Sequence, residues 1–579
     1  MTFQVSPGVN TSEVDLTTVI PAVSVSTGAV AGPFEWGPVE VVRQVSSEIE
    51  LANLYGKPKT NSYSTFFTAA NFLAYAGDLR VVRSANTSSN NATANQKSVT
   101  AINSSDHLMQ VKNEDVYVAG LPAPYVANTV CVARYPGGIG NSLKVSFWAN
   151  TVAALSTWEY GYLFDKKPGT SYYIASNFFA GANDQFHMVV VDEDGSFTGT
   201  ANTILEKYSN ISKATNARDE SGQSIYWQDV LYRQSKYVYA VNQPEDAATQ
   251  DDSWDLAANA TYAFADLRTE AAFRDFSFIL GTDQVLTDAH NILGYDKLKN
   301  AESVDIQLVM TGAHAPAVVT DVISNLVGSR KDCVAFISPA LANVQAADQT
   351  TAVINYRNNA LANVSSSYTV MDSGWKYQYD KYNDVYRWIP LNGDIAGLCA
   401  RTDTDRDPWF SPAGLVRGQI KNVVKLAYNP TKANRDELYK NGVNPVVSFP
   451  GEGTLLFGDK TLLGRPSAFD RINVRRLFIV LEKSIAKAAR SSLFEFNDEF
   501  TRAQFVNLVE PFLRTVQGRR GIYDYRVVCD GTNNTAEVID RNEFVGDIYV
   551  KPARSINFIQ LNFVAVRTGV AFEEIVGKF

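Results

Sequence analysis

The chain has 579 residues, more than one hydrophobic core fills, so several domains are expected. Hydrophobic residues make up 45% and charged residues 20%, which excludes a disordered chain. The formal net charge of −9 gives no general attraction to nucleic acid, so DNA or RNA binding would need a local basic patch. Aromatic residues reach 12%, which suits extensive buried surface or large interfaces. Cys131, Cys333, Cys399 and Cys529 form no CxxC pair and read as reduced core residues. The opening residues lack the basic and apolar regions of a signal peptide, and no run of about 18 apolar residues could span a membrane. Synthesis and folding in a cytoplasm are therefore expected.

Residues 1–20 are polar and β-branched, with Val5, Val9 and Val14 too sparse for a core, and read as an extended arm. A strand is predicted from Val23 to Val30, then the turn-rich Gly32-Pro-Phe-Glu-Trp-Gly-Pro38. Helices follow over 46–55, where Ser46 and Ser47 offer N-caps, and over 63–76, and Asp78-Leu-Arg-Val-Val-Arg83 is a short strand. Residues 84–105, rich in Ser, Asn and Thr, have the composition of a surface loop that buries no core. Strands resume near 111–118, and 129–147 reads as strand, Gly-rich turn, strand. Strands at 303–309 and 333–337 flank a helix at 316–328, a βαβ unit that implies a parallel pair.

In the last third, a helix over 473–490 has the apolar face Leu477, Phe478, Leu481, Ile485 and Ala488. A second helix over 501–517 contains Pro511, which should kink it. Strands are predicted at 523–529, 543–550 and 556–566, the last with strict alternation. Residues 568–579 place Val570, Phe572 and Ile575 among glycine and glutamate and read as a second arm. Apolar groups on such tails would gain burial on the exposed sheet edge of a neighbour.

Catalytic chemistry is hard to find. The four histidines lie outside helical spacing of one another, and no HExxH occurs. Gly453-Thr-Leu-Leu-Phe-Gly458-Asp459-Lys460-Thr461 approaches a phosphate-binding loop, but Asp459 separates the second glycine from the lysine. A carboxylate there shifts the lysine register and repels phosphate, so a turn beside a strand is the plainer reading. Arg476, Lys483, Lys487 and Arg490 fall on one side of their helix, opposite the apolar face. Such a basic stripe is either a solvated helix side or a docking face for an acidic partner. No catalytic residue, cofactor site or metal site is assigned.

Several longer strings carry a resemblance. Ser6-Pro-Gly8, Gly32 to Pro38, Asp78 to Arg83 and Tyr135-Pro-Gly-Gly-Ile-Gly-Asn141 resemble the opening of tail sheath proteins from contractile-tailed phages. Trp375 to Asp384, Asp394 to Asp403, Ser411-Pro-Ala-Gly414, Phe469 to Phe478, Tyr525 to Asp530, Val538 to Phe544 and Lys551 to Phe558 are similar to the T-even sheath type. Between Arg83 and Tyr135 this chain is shorter than that type, so its outer knob should be minimal.

The resemblance implies an α/β and α+β multidomain fold, with discontinuous inner sheath-core α/β domains, an inserted outer domain and extended N- and C-terminal arms. The expected division is an arm at 1–20, an inner segment at 21–87 and a short surface insertion at 88–125. An outer or middle domain at 126–344, an inner and tube-facing region at 345–567 and an arm at 568–579 complete it. The resemblance implies a non-enzymatic subunit that polymerises in stacked, helical rings around a tail tube protein, with baseplate and tail terminator proteins as further partners. It implies no cofactor, nucleic acid or membrane, and a place in the virion tail. The stripe would face the tube, and Val5, Val9, Val14, Val570, Phe572 and Ile575 would mark linking arms. A phage-derived injection device, or an enzyme using the 453–461 loop, are the alternatives.

Overall fold

In the computed structural model, residues 26–95, 108–121, 129–149, 154–244, 254–260, 264, 273–557 and 560 are described. Both expected arms, and most of the strand expected at 556–566, lie outside the described residues. The chain divides into two units: Ala22–Pro408 with Pro412–Arg475, and Trp409–Ser411 with the residues from Arg476 onward.

The larger unit is organised by a seven-stranded sheet. Strand β1 (Gly28–Pro33), β2 (Val42–Val45) and β3 (Leu79–Ser84) form its first part. Between them run helix Glu48–Tyr55, whose N-cap Ser47 accepts from the Glu50 N–H, and helix Tyr63–Leu73. Thr65 to Phe72 are all buried, so this second helix is enclosed on every side, as its Phe/Ala composition anticipates.

The chain then leaves that sheet. Strands β4 (Thr93–Asn95), β5 (Thr129–Ala133) and β9 (Val238–Ala240) form one small antiparallel sheet, β4-β5-β9. Strands β6 (Leu143–Ala149), β7 (Gln185–Asp192), β8 (Thr203–Ser212) and β10 (Phe273–Ser277) form another, in the order β10-β6-β7-β8. Their shared core is aromatic, built on Phe147, Phe186, Trp227 and Trp254.

Strands β11 (Leu308–Met310), β12 (Val334–Ile337) and β13 (Thr369–Asp372) return to the first sheet. Next come the hairpin β14 (Trp375–Asp380) and β15 (Val385–Pro390), the short β16 (Lys425–Leu426), and β17 (Val443–Asn444). The large sheet has the order β17-β13-β12-β11-β1-β3-β2, parallel throughout except for β2 on β3. Residues on either side of the insertion thus complete one sheet, the discontinuous α/β domain that the resemblance implies. Because β11 and β12 belong to that sheet, the inserted part ends before Leu308, not at 344. The expected βαβ pairing is present as β11 beside β12. The intervening helix starts at Pro316, passes through a π-turn at Val322–Val327 and ends at Arg330.

Two expectations fail in the insertion. Residues 111–118 do not form a strand. Asn113 accepts from the Val116 N–H and caps helix Glu114–Val118, whose first turn is acidic. The valines there suggested a strand, but the cap and acidic turn prevail. Nor is 84–95 a surface loop: Ala85, Ser89, Asn91, Ala92, Thr93 and Ala94 are buried. The Asn91 amide donates to the carbonyls of Val111 (3.1 Å) and Ala133 (2.8 Å) and accepts from the Val111 N–H (2.7 Å). Small polar side chains enter a core when backbone groups satisfy them, and composition alone does not register this.

The helix Asn392–Asp405 packs closely on the Tyr63–Leu73 helix and its continuation. A Cβ at Gly393 would stand 2.4 Å from the Thr68 carbonyl oxygen. Beside it, Lys376 Nζ lies 2.9 Å from Asp394 Oδ1, with the two side chains 0% and 1% exposed. Tyr75 donates to the same carboxylate (3.1 Å), and Lys376 also donates to the Lys421 carbonyl (3.0 Å). Burial raises the pKa of Asp394 and lowers that of Lys376, each against the attraction of its partner.

In the smaller unit, helix Ile472–Ala489, from Arg476 on, pairs with helix Glu499–Gly518. Asp498 caps the second by accepting from the Thr501 N–H (2.8 Å). Leu477, Leu481 and Ile485 meet Phe505, Val509 and Leu513 in its core, as the apolar periodicity predicts. After the hairpin β18 (Val446–Phe449) and β19 (Gly453–Leu456) of the larger unit, the last strands among the described residues are β20 (Ile522–Val528) and β21 (Asp547–Pro552), an antiparallel pair.

Replacing Lys376 with Met strands Asp394 without its cation and should cost about 3–5 kcal/mol at neutral pH. The deficit should shrink as pH falls, because burial raises the folded pKa of Asp394 and the carboxyl then stays protonated. Urea midpoints of Lys376→Met, with and without Asp394→Asn, measured across pH, check both statements.

Candidate functional site

The Gly32–Pro38, Asp78–Arg83 and Tyr135–Asn141 motifs, far apart in sequence, meet at Arg83. Its side chain leaves β3 into the loop and is 2% exposed. Nε donates to the Phe34 carbonyl (2.9 Å) and Nη1 to the Gly37 carbonyl (2.9 Å). Nη2 donates to the carbonyls of Pro136 (2.7 Å) and Glu35 (3.3 Å). A guanidinium presents five N–H donors in one plane, and here four backbone carbonyls are aimed at them. Burial lowers its pKa to about 10, with Asp283 and Glu35 opposing that shift, so the group stays cationic at neutral pH.

The loop has to be built for this. Gly37 has φ +97°, and a Cβ there would lie 2.8 Å from the Tyr55 ring and 2.9 Å from the Leu54 carbonyl oxygen. Trp36 turns away into the insertion, edge-on to Tyr135 (5.3 Å) and Phe197 (5.0 Å). Lys112 adds an ion pair to Glu40 (2.6 Å) across the same junction. The large sheet and the insertion are thereby fastened together, which the sequence reading of these motifs did not foresee. The available signal was an arginine closing an otherwise apolar strand end.

The near-phosphate loop is a closed turn. Asp459 is buried, faces Arg471 (3.5 Å) and accepts from the Tyr439 hydroxyl (3.2 Å). Lys460 donates to the Tyr439 carbonyl (2.8 Å) and lies over that ring. A Cβ at Gly458 would touch Asn444 Oδ1 at 2.9 Å. The lysine is spent within the fold, and the glycine serves packing. All four cysteines are buried. Among the described residues no group of three or more His, Cys, Asp or Glu could hold a metal ion, and no helix is long and apolar enough to cross a membrane.

The basic stripe is shorter than expected. Arg476 is 4% exposed, because the first turns of its helix, Ile472 to Leu477, are all buried. Lys483 is half-buried, and Lys487 and Arg490 are exposed. Val5, Val9, Val14, Val570, Phe572 and Ile575 lie outside the described residues. Among the described residues β20 and β21 pair only with each other, so each has an edge that no described strand covers. Such two-strand ribbons gain stability from an added strand.

Arg83→Met should leave four buried carbonyls without donors and cost at least about 3 kcal/mol. Arg83→Lys keeps the charge but not the planar fork and should fall between. Thermal unfolding, with limited proteolysis of the 135–140 turn, measures the loss.

The chain matches the phage tail sheath protein central domain over residues 287–462 and the phage tail sheath C-terminal domain over 465–565. It also matches the tail sheath protein Gp18 domain III N-terminal region over 26–83. It is 33% identical to the tail sheath protein of Vibrio phage KVP40, with 99% of each chain covered. The tail sheath protein of Enterobacteria phage T4 is likewise 33% identical, again over 99% of each chain. That alignment spans 656 positions, so the relative carries segments this chain lacks. A sheath tail protein from Listeria innocua shares the fold at 12% identity and TM-score 0.53, covering 92% of this chain and 94% of that one. With relatives above 30% identity spanning both chains almost end to end, this chain belongs to the phage tail sheath protein family.

Proposed function

We propose that this chain polymerises helically around a tail tube and contracts to drive that tube through the host envelope for DNA ejection. The observation that carries this reading is the end-to-end similarity, at 33% identity, to phage tail sheath proteins. Further copies of the chain, the tail tube protein, and baseplate and tail terminator proteins are its partners. It acts in the virion tail after assembly in the host cytoplasm. A helical polymer grows through heterologous contacts, one patch meeting a different patch on the next copy. The extended polymer is a kinetically trapped packing, and on the order of a few kcal/mol per subunit separates it from the contracted one.

No nucleotide enters this cycle, and the subunit is not an enzyme. The engagement of Lys460 with Tyr439 supports that reading over a nucleotide-using enzyme. Residues 1–20 and 568–579 act as arms that add strands to sheets of neighbouring copies, and the edges of β20 and β21, which pair with no other described strand, suit that role. Lys483, Lys487 and Arg490 form the tube-facing basic surface, now without Arg476.

Deleting residues 1–20 or 568–579 should leave a soluble, folded monomer and abolish the long cylinders seen by negative-stain microscopy. Cylinders formed by truncated chains, or truncated chains that unfold, would defeat the role of the arms. Lys483→Glu with Lys487→Glu should weaken co-sedimentation with tail tubes at low salt. The difference should fade as salt screens exposed charge, and equal binding at all salt concentrations would remove the tube from that face.

A further inference from the structure

The hairpin of β14 and β15 carries its polarity inverted. Alternation along β14 turns Lys376, Gln378 and Asp380 inward, and all three are buried. On the inner face Asp380 accepts from Arg387 Nε (2.8 Å) and from the Tyr382 N–H (3.0 Å). The opposite face is aromatic. Cross-strand register sets Tyr377 beside Trp388 and Tyr379 beside Tyr386. Ring centroids lie 4.7 Å apart in the first pair, 5.2 Å in the second and 5.5 Å on the Tyr377–Tyr386 diagonal.

This ladder is covered only at its base. Towards the turn, Tyr379 and Tyr386 are 44% and 52% exposed. Lys425, from β16, stands 5.0 Å above the Tyr377 ring and 5.6 Å above Trp388, which makes the rim cationic. A sheet that turns charged side chains inward and offers aromatic ones to water at its turn end is arranged for a partner.

A second surface has the complementary character. In the segment Leu493-Phe-Glu-Phe-Asn-Asp-Glu-Phe500, all four large apolar residues, Leu493, Phe494, Phe496 and Phe500, are exposed. Glu495 and Glu499 are exposed between them. Phe494 has φ +69°, a left-handed conformation uncommon for a bulky residue. This apolar segment carries acidic groups, whereas the covered end of the ladder carries Lys425 and its turn end has Asp384 accepting from the Tyr379 hydroxyl (2.6 Å).

We propose that the 493–500 segment of one copy seats on the β14–β15 aromatic ladder of another copy, with Glu495 and Glu499 meeting Lys425. The inference rests on the helical-polymer reading and names one of its contacts. Three features select a second copy as occupant: both surfaces are exposed among the described residues, Glu495 and Glu499 are opposite in charge to Lys425, and the two surfaces differ from each other. Two different patches propagate a polymer, whereas one self-complementary patch would close a dimer.

The test uses the full chain. Lys425→Glu alone, and Glu495→Lys with Glu499→Lys, should each raise the concentration needed for cylinders about tenfold. The three changes combined in one chain should restore growth towards the wild-type value. Independently, a mixture of Tyr386→Cys and Phe496→Cys chains under oxidation should give a disulfide-linked pair. The same mixture with Val285→Cys, an exposed position that belongs to neither patch, in place of Tyr386→Cys should not. Single variants that assemble like wild type, a combined variant that is not rescued, or Tyr386→Cys chains that link only to the tube protein would each overturn the contact. In all three outcomes wild-type cylinders leave the polymer reading intact. Wild-type chains that form no cylinders on tail tubes would instead overturn that reading and the contact with it.

Discussion

A single buried cation ties the larger unit together. The Arg83 guanidinium has left water and is held by carbonyls from two loops, Phe34 to Gly37 and Pro136. Desolvating a cation is costly, and carbonyl dipoles aimed at fixed N–H donors offset that cost only if both loops hold their shape. The left-handed Gly37, the inward Trp36 and the Tyr135-Pro-Gly turn are therefore parts of one constraint. The constraint sits where the chain leaves the large sheet, since β3 ends at Ser84. An insertion of some two hundred residues is thus anchored at its root.

The same device recurs at smaller scale. Lys376 and Asp394 join the β14–β15 hairpin to the Asn392–Asp405 helix, with Tyr75 contributing from the helix beneath. Asp372, whose carboxyl burial pushes up to about 8, accepts from the Ser338 hydroxyl (2.7 Å) and the Gly374 N–H (2.9 Å). Asn392 reaches the same serine (3.1 Å) and the Gly312 carbonyl (2.8 Å). Several of these polar contacts join segments distant in sequence, from 34 residues apart for Ser338 and Asp372 to 319 for Tyr75 and Asp394. Apolar packing tolerates small slips, whereas an unsatisfied buried polar group does not, so such links specify one arrangement of the strand ends.

Surfaces follow a different rule. The exposed apolar residues lie on the β14–β15 ladder and on the 493–500 segment, among other places, while the helix faces beneath are closed. A family whose members build sheaths has reason to leave such surfaces open, because the copies cover one another.

Local chemistry made much of this readable in advance. The Ser47 cap, the apolar stripe of Leu477, Leu481 and Ile485, and the β11–β12 parallel unit depend on residues near one another in sequence. Asp459 already argued against a phosphate cradle, because one carboxylate in the wrong register is a local fact. Only the tertiary structure decided the rest. Asn91 and its neighbours are core because carbonyls from Val111 and Ala133 happen to meet them. Arg476 is buried although its helical spacing matches that of exposed Lys487, because the first turns of that helix are enclosed. Arg83 became the centre of three motifs for the same reason. Periodicity reports which side of an element is apolar, but what stands opposite that side comes from chain segments distant in sequence, and that decides burial and partners.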